Sequence, residues 1–267
     1  MPGTSHPQIS IIVPAYNEAS RLPHSLRLLR DHVGAPSRAS RSFEVLIVVE
    51  HSTDGTLELA REAVSEQANF HVIDNRVHRG KGYAVRSGMR QARGAIQFYM
   101  DADLSVPLEE IDRFLAHFEA HPEDDVLLGS RQHPGSRIER RQNLLRQTMG
   151  RMFNRVLRVL SLLPFRDTQC GFKAFRREAA RQIFALQSLD AFAFDVEVLL
   201  LAQSLGCRLC ELPVRWLNSP ESKVRIVGDS LRMLLDAFSV RRRVARVLRG
   251  RDSHKGLAGQ DEKARGS

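Results

Sequence analysis

Three stretches of the chain place polar residues directly after a run of apolar, strand-forming ones: Pro14-Ala15-Tyr16-Asn17-Glu18, Glu50-His51-Ser52-Thr53-Asp54-Gly55-Thr56 and Asp101-Ala102-Asp103. In an open α/β sheet, ligands bind at the carboxyl ends of the strands, so these three ends define one candidate site. Asp101 and Asp103 carry the most definite chemistry. In extended backbone their side chains point the same way, because strand side chains alternate with a period of two. Two carboxylates in one small volume repel each other. A hard divalent cation with oxygen ligands resolves that repulsion, and a diphosphate supplies the remaining oxygens. An isolated D-x-D more often caps a helix, here one beginning near Pro107, and it is the order of the three strand ends in one sheet that favours the metal. Asp54 and Thr56 read first as helix-capping residues.

The elements that must position these residues follow from periodicity. Ile9 to Val13 and Phe43 to Val49 are β-branched runs without polar alternation, as expected of strands covered on both faces of a parallel sheet. Leu22, Leu26 and Leu29 recur between them at helical spacing. Phe70 to Asp74, Lys81 to Ala92 and Ala95 to Met100 repeat the order strand, helix, strand, which is a doubly wound, Rossmann-like α/β plan. A helix with Pro107 in its first turn follows, with Ile111, Phe114, Leu115 and Phe118 as its apolar face. Val126 to Ser130 is the next strand. Beyond it come a loop with Pro134 and Gly135 and a basic amphipathic segment from about Arg141 to Leu163. The reading continues with strands at Gln169 to Phe175 and Arg208 to Trp216, and with a helix from Phe194 to Leu205 that Gly206 ends. The expected organisation is a tail over 1–8, a catalytic domain over 9–225, a basic amphipathic helical segment over 226–249 and a disordered tail over 250–267.

Composition limits the partners. A net charge of +9 points to something anionic: nucleotide, lipid phosphate, membrane surface or nucleic acid. The arginines cluster at Arg137 to Arg158 and Arg241 to Arg251 with Phe153 as the one aromatic among them, and no helix-turn-helix or RNP-like string appears, so no nucleic-acid partner is expected. Cys170, Cys207 and Cys210 are too few for a disulfide framework and read as thiols. No apolar run is long enough to span a bilayer and no signal peptide opens the chain, so a cytosolic location is expected.

Taken together, the strings resemble the inverting glycosyltransferases of family 2, which have the GT-A fold, and specifically the polyprenyl-phosphate branch typified by dolichyl-phosphate β-glucosyltransferases. The resemblance runs from Ile9 to about Val247. It rests on Val13-Pro-Ala-Tyr-Asn-Glu18, Ser52-Thr-Asp-Gly-Thr56, Arg79-Gly-Lys-Gly82 with Ala84-Val-Arg86, Met100-Asp-Ala-Asp-Leu-Ser105 and Gly129-Ser-Arg131. Asp167-Thr-Gln-Cys-Gly-Phe-Lys173, Phe194-Asp-Val-Glu197 and Glu221-Ser-Lys223 extend it. The resemblance implies that Pro14, Tyr16 and Glu18 line the base and ribose pocket. It puts Asp101 near the ribose and beside the metal, Asp103 on Mg²⁺ or Mn²⁺, and Lys81 at the closure of the nucleotide site. Relatives commonly carry two aspartates and a glycine before the Ser-Thr-Asp-Gly-Thr string, where this chain has Val49, Glu50 and His51. Glu50 is still able to accept a base N–H.

The implied reaction moves a hexose, glucose from UDP-glucose foremost, onto a polyprenyl phosphate at the cytosolic membrane face. Such an acceptor has a second pKa near 6 and arrives ionised, so it needs cations instead of a general base. Arg131, Arg137 and Arg140 occupy the loop where relatives bind the acceptor phosphate, and guanidinium forks suit its oxygens. Lys223 is placed to close over the donor diphosphate. Asp195 and Glu197 are either structural or, for a hydroxyl acceptor, one is a base. GDP-mannose as donor and a soluble or glycolipid hydroxyl as acceptor are the alternatives. The basic amphipathic segments imply a peripheral protein held on an anionic membrane surface.

Overall fold

The computed structural model describes residues 6–139, 163–191, 193–217, 240–247 and 249. Arg140, Lys223 and most of the two basic amphipathic segments lie outside them. A seven-stranded sheet with the order β3-β2-β1-β4-β7-β5-β8 forms the centre. β1 (Ile9–Ala15), β2 (Phe43–Glu50), β3 (Phe70–Asn75) and β4 (Ile96–Met100) are mutually parallel. β5 (Val126–Ser130) runs parallel to β8 (Leu209–Pro213). A two-stranded ribbon of β6 (Arg137–Ile138) and β9 (Arg215–Trp216) stands apart. The strands β1 and β2 are buried almost without alternation because separate apolar clusters cover the two sheet faces.

The described helices include α1 (Leu22–Val33), α2 (Thr56–Val64), α3 (Lys81–Gln91), α4 (Glu109–Ala120), α5 (Arg177–Leu186) and α6 (Phe194–Ser204). The expected apolar faces are found: Leu22, Leu26 and Leu29 of α1 and Ile111, Phe114, Leu115 and Phe118 of α4 are all buried. α4 starts two residues after Pro107, whose carbonyl accepts the Glu110 N–H. Gly206 ends α6 in the left-handed conformation at φ 78°, as its position suggests. Among the described residues no helix is long and apolar enough to cross a membrane. The three cysteines are free.

One feature departs from a simple parallel plan. β7 (Phe172–Arg176) lies antiparallel between β4 and β5. Apolar periodicity places a strand there but carries no direction, since a buried strand looks the same either way along. β7 brings the segment 167–171 to the carboxyl end of β4, where the functional residues gather.

The opposite, amino-terminal end of the sheet is braced by a buried carboxylate. Glu44 accepts hydrogen bonds from Ser10 Oγ at 2.5 Å, from the Arg93 N–H at 2.5 Å and from Arg93 Nε at 3.1 Å, while Ser10 Oγ accepts the Gly94 N–H at 2.6 Å. Burial pushes the Glu44 carboxyl up, but the hydrogen bonds from Ser10 and Arg93 outweigh it and the pKa falls below the ordinary glutamate value. Stability from this group is therefore complete above the ordinary value and is lost as acid carries the pH down through the lowered folded value. Glu44→Gln should cost about 2 kcal/mol at neutral pH, read as a lower denaturant midpoint at unchanged slope. The gap between variant and wild type should close in acid; a gap independent of pH would remove the ionised carboxylate as its cause.

Candidate active site

The turns after β1 and β2 are stitched together by hydrogen bonds. The Glu18 N–H donates to Thr56 Oγ1 at 2.8 Å, the Ala19 N–H to Asp54 Oδ2 at 3.1 Å, and the Thr53 N–H to Asn17 Oδ1 at 2.9 Å. Asn17 adopts a left-handed φ of 52°, which asparagine tolerates and most residues do not. Asp54 also accepts from the Thr56 N–H, but the N-cap of α2 is Gly55 and no side chain caps the helix, so Asp54 and Thr56 brace the two turns against each other instead of capping α2 as expected. Pro14 lies in β1, just ahead of this turn. Glu18 is buried and paired with Arg21, and Tyr16 stays 37% exposed with its ring stacked on His78 at 3.7 Å and 8°.

Asp101 follows β4 directly. The Lys81 ammonium, at the start of α3, lies 2.6 Å from Asp101 Oδ1. Burial pulls Lys81 down, but Asp101, Asp195 and Asp103 outweigh it and hold the ammonium above the usual lysine range. Beyond Asp101 the backbone turns instead of remaining extended: Leu104 has φ 50° and donates its N–H to the Asp101 carbonyl at 3.1 Å. Asp103 Oδ1 accepts the Ser105 N–H at 3.0 Å, and Arg21 approaches Asp103 to 4.0 Å. The two carboxylates still share one volume. Burial and then the Asp101 charge push the Asp103 carboxyl above the ordinary aspartate range.

That raised pKa tests the fit to a metal. The Asp101 charge adds to burial in disfavouring ionisation of Asp103, which a divalent cation reverses, and both carboxylates are hard oxygen ligands suited to Mg²⁺ or Mn²⁺. Asp101 and Asp103 fit the role. Gly171 fits it too: a Cβ at this position would overlap the Asp101 carboxylate, so the absence of a side chain is what seats Asp101. A second group with metal-ligand chemistry, His117, His121 and Asp124, lies just before β5 at the other end of the sheet, where His117 and Asp124 already share a 2.8 Å hydrogen bond.

A small cavity is lined by Met100, Asp101, Ser105, Val106, Arg131, Cys170, Gly171 and Trp216. Arg131 therefore faces Asp101 across it, but its charge is already matched. Nε and NH2 form a fork to the buried Asp167 at 2.7 and 2.9 Å, and the Arg131 N–H adds a third bond at 3.0 Å. Burial raises the Asp167 carboxyl, Arg131 outweighs that, and the net pKa is low. Arg137 lies exposed on the β6–β9 ribbon. The proposed contacts of Arg140 and Lys223 fall on residues outside the described ones.

Asp195 and Glu197 sit elsewhere than a general base requires. Asp195 Oδ1 accepts from Tyr99 OH at 2.6 Å and Lys173 Nζ at 2.5 Å, and Lys173 is fully buried and also donates to the Cys170 carbonyl. Glu197 accepts from Ser188 Oγ and from the Ser188 and Leu189 N–H groups. Both carboxylates are buried braces, and neither lines the cavity. Glu50 is corrected in the same way: it is 2% exposed and spends its oxygens on the His78 ring and the Arg79 and Gly80 N–H groups. Sequence reading gave no individual role to Asp167, Gly171, Lys173 or His78. The first three lie in the Asp167-to-Lys173 string, whose specificity was the available signal, whereas nothing local marks His78.

The profile of the family described as glycosyl transferase family 2 matches residues 10–184. The chain belongs to glycosyltransferase family 2. Among its relatives are dolichyl-phosphate β-glucosyltransferases of Dictyostelium discoideum, 33% identical over 240 residues, and of Homo sapiens, 30% identical over 244. The first alignment covers 87% of this chain and 73% of the relative, the second 88% and 75%. In structure the family 2 chain resembles glucosyl-3-phosphoglycerate synthase from Mycobacterium tuberculosis in complex with Mn²⁺, UDP-glucose and phosphoglyceric acid, with a TM-score of 0.63 at 13% identity. That match covers 90% of this chain and 80% of the other. Mannosyl-3-phosphoglycerate synthase from Rubrobacter xylanophilus gives 0.60 at 20% identity, with 92% and 75% covered. These likenesses show the GT-A fold.

Because the atom met by a Cβ at position 171 is the end of a flexible side chain, Gly171→Ala should fold normally and turn Asp101 away. Mn²⁺ affinity, followed by paramagnetic resonance of the free ion, should fall at least about tenfold with little change in thermal midpoint. Wild-type Mn²⁺ affinity in the variant would show that the seat under Asp101 does not matter.

Proposed function

We propose that this family 2 enzyme transfers glucose from UDP-glucose to a polyprenyl phosphate of the dolichyl type, with inversion, using Mg²⁺ or Mn²⁺ held by Asp101 and Asp103. The names of its relatives support the acceptor and sugar. The observation that carries the reading is the cavity lined by both Arg131 and Asp101, where among the described residues no general base stands in the lining beyond the carboxylate assigned to the metal. A hydroxyl acceptor would need a base there. A phosphate monoester, already ionised, does not.

In this reading Tyr16 supports the base, and Lys81 holds Asp101 in place and offers its charge to the diphosphate. The N–H groups of Arg131 left over from Asp167 orient the acceptor phosphate, along with Arg137 and Arg140, while Lys223 covers the donor. An acceptor oxygen attacks the anomeric carbon in line as the bond from that carbon to the diphosphate oxygen breaks, and UDP leaves. The bound cation would neutralise charge building on the departing diphosphate.

The acceptor's lipid keeps it in the bilayer, so the enzyme works as a peripheral protein at the cytosolic face of the membrane. Residues 240–247 are helical; Val240 and Val244 face the core while Arg241, Arg242 and Arg243 are exposed, which leaves a basic face for anionic headgroups.

Incubation with radiolabelled UDP-glucose, GDP-mannose and short polyprenyl phosphates, followed by lipid extraction, should place label from UDP-glucose in the lipid phase. Label in lipid from GDP-mannose alone would replace the donor, and label only in water-soluble product would replace the acceptor. Asp103→Asn should lower the rate on the order of a thousandfold, ~4 kcal/mol, while the fold persists; near-normal turnover at saturating metal would take the cation away from Asp103. The wild type should sediment with anionic vesicles at low salt and release as salt rises, and replacing Arg241, Arg242 and Arg243 by Gln should weaken sedimentation without altering UDP binding. Indifference to such vesicles at low salt would end the peripheral-membrane reading.

A further inference from the structure

Glu50 ends β2 where a carboxylate could receive a nucleobase N–H, yet its hydrogen-bonding capacity is used within the protein. Oε1 accepts the Arg79 N–H at 3.1 Å and the Gly80 N–H at 3.0 Å, and Oε2 lies 2.7 Å from His78 Nδ1. The Gly80 N–H is also 3.1 Å from Oε2. These contacts occupy both oxygens of a side chain 2% exposed, and they hold the turn that delivers Lys81. Gly80 adopts φ 121° in that turn, where a side chain would also meet the Asp190 carbonyl. A ligand could reach Glu50 only by displacing these contacts.

What covers Glu50 on the open side is the His78 ring. Its side chain is 45% exposed, and its ring lies parallel to Tyr16. An ionised carboxylate only accepts, so in the neutral ring Nδ1 carries the proton and donates to Glu50. Nε2 is then an acceptor, and no hydrogen bond to it is found among the described residues.

The geometry points to His78 as the residue that reads the donor's nucleobase, Nε2 accepting an imide N–H from a base supported beside Tyr16. Glu50 is a positioning residue that fixes the tautomer and the turn. An acceptor at this place selects bases that present an N–H at the centre of their pairing edge, uracil at N3 and guanine at N1. It works against cytosine and adenine, which present a ring nitrogen lone pair there. The inference deepens the proposed uridine donor and rests on it.

Binding of UDP, CDP and N3-methyl-UDP in the presence of Mn²⁺, measured by calorimetry, tests it. N3-methyl-UDP keeps the ring and the diphosphate but lacks the N–H. The wild type should bind UDP at least about tenfold tighter than either analogue, as expected where the hydrogen bond is lost and a methyl group or a ring lone pair meets the His78 Nε2 lone pair instead. His78→Phe keeps an aromatic ring to stack on Tyr16 and removes the nitrogens. It should bring UDP and N3-methyl-UDP to within about twofold of each other while leaving Mn²⁺ affinity unchanged. Should that variant unfold, His78→Ala removes the same acceptor from an exposed position. Equal binding of UDP and N3-methyl-UDP by the wild type, or undiminished discrimination in the His78 variants, would overturn the inference while leaving the uridine donor intact. A wild type that binds GDP but not UDP would overturn the uridine donor instead, and the comparison of GDP with N1-methyl-GDP in the same variants then decides the role of His78.

Discussion

Two carboxylates held close together in a partly buried place repel each other, and the architecture around the end of β4 is arranged to hold Asp101 and Asp103 there nonetheless. Lys81 supplies the nearest compensating charge at 2.6 Å, and Arg21 approaches Asp103 from α1's side. Neither returns the Asp103 carboxyl to its ordinary range, since burial first and the Asp101 charge second hold it above. The protein alone thus leaves a site with residual appetite for positive charge. Binding a cation there relieves repulsion already present, so the metal need not drive any rearrangement of the sheet.

The antiparallel strand β7 and the segment leading into it do most of the positioning. Over seven residues they contribute Asp167 to fix Arg131, the Cys170 carbonyl and Lys173 to fix Asp195, and Gly171 to make room for Asp101. The Lys173–Asp195 pair is expensive to bury and is viable because Tyr99 and Cys170 satisfy the remaining hydrogen bonds. Removing one partner would leave an uncompensated charge beneath the site. Tyr99 sits one residue before Met100 on β4, so this network ties β4, β7 and α6 together directly under the turn that carries Asp101.

The sequence made the scaffold legible because its signals are local. Uniformly apolar strands, the leucines of α1, the apolar face of α4 and Gly206 each state their environment within a few residues. The D-x-D and the strand-end turns were legible for the same reason. Three features were not. The direction of β7 depends on its neighbours and has no periodic signature. The turn at Leu104 bends backbone that spacing alone reads as extended. Partnerships such as Arg131 with Asp167 and Glu50 with His78 join residues 36 and 28 positions apart, and a charged side chain in sequence looks the same whether it faces a ligand or a buried counterion. Residue types suggested Arg131, Asp195, Glu197 and Glu50 as contacts with substrate. Burial turned the three carboxylates into braces and gave the arginine a permanent partner.

That permanent partner changes how the acceptor side must work. Arg131 and Asp167 together are neutral, so the pair contributes directed N–H donors to the cavity and little net field. Directed donors choose a tetrahedral oxyanion by geometry, and because the fork is locked they do so without freezing a flexible side chain on binding. Attraction over distance has to come from charge that is not cancelled. The net charge of +9 is uncancelled, and the exposed Arg241, Arg242 and Arg243 form no ion pair among the described residues. In the proposed reading, recognition and recruitment are therefore separated. The former is partly buried and only weakly screened, the latter is on the surface and screened within about 8 Å at physiological ionic strength. The proposed acceptor, an anionic lipid phosphate confined to an anionic surface, would suit that division, since exposed basic charge would draw the protein to the surface while the locked fork meets the phosphate.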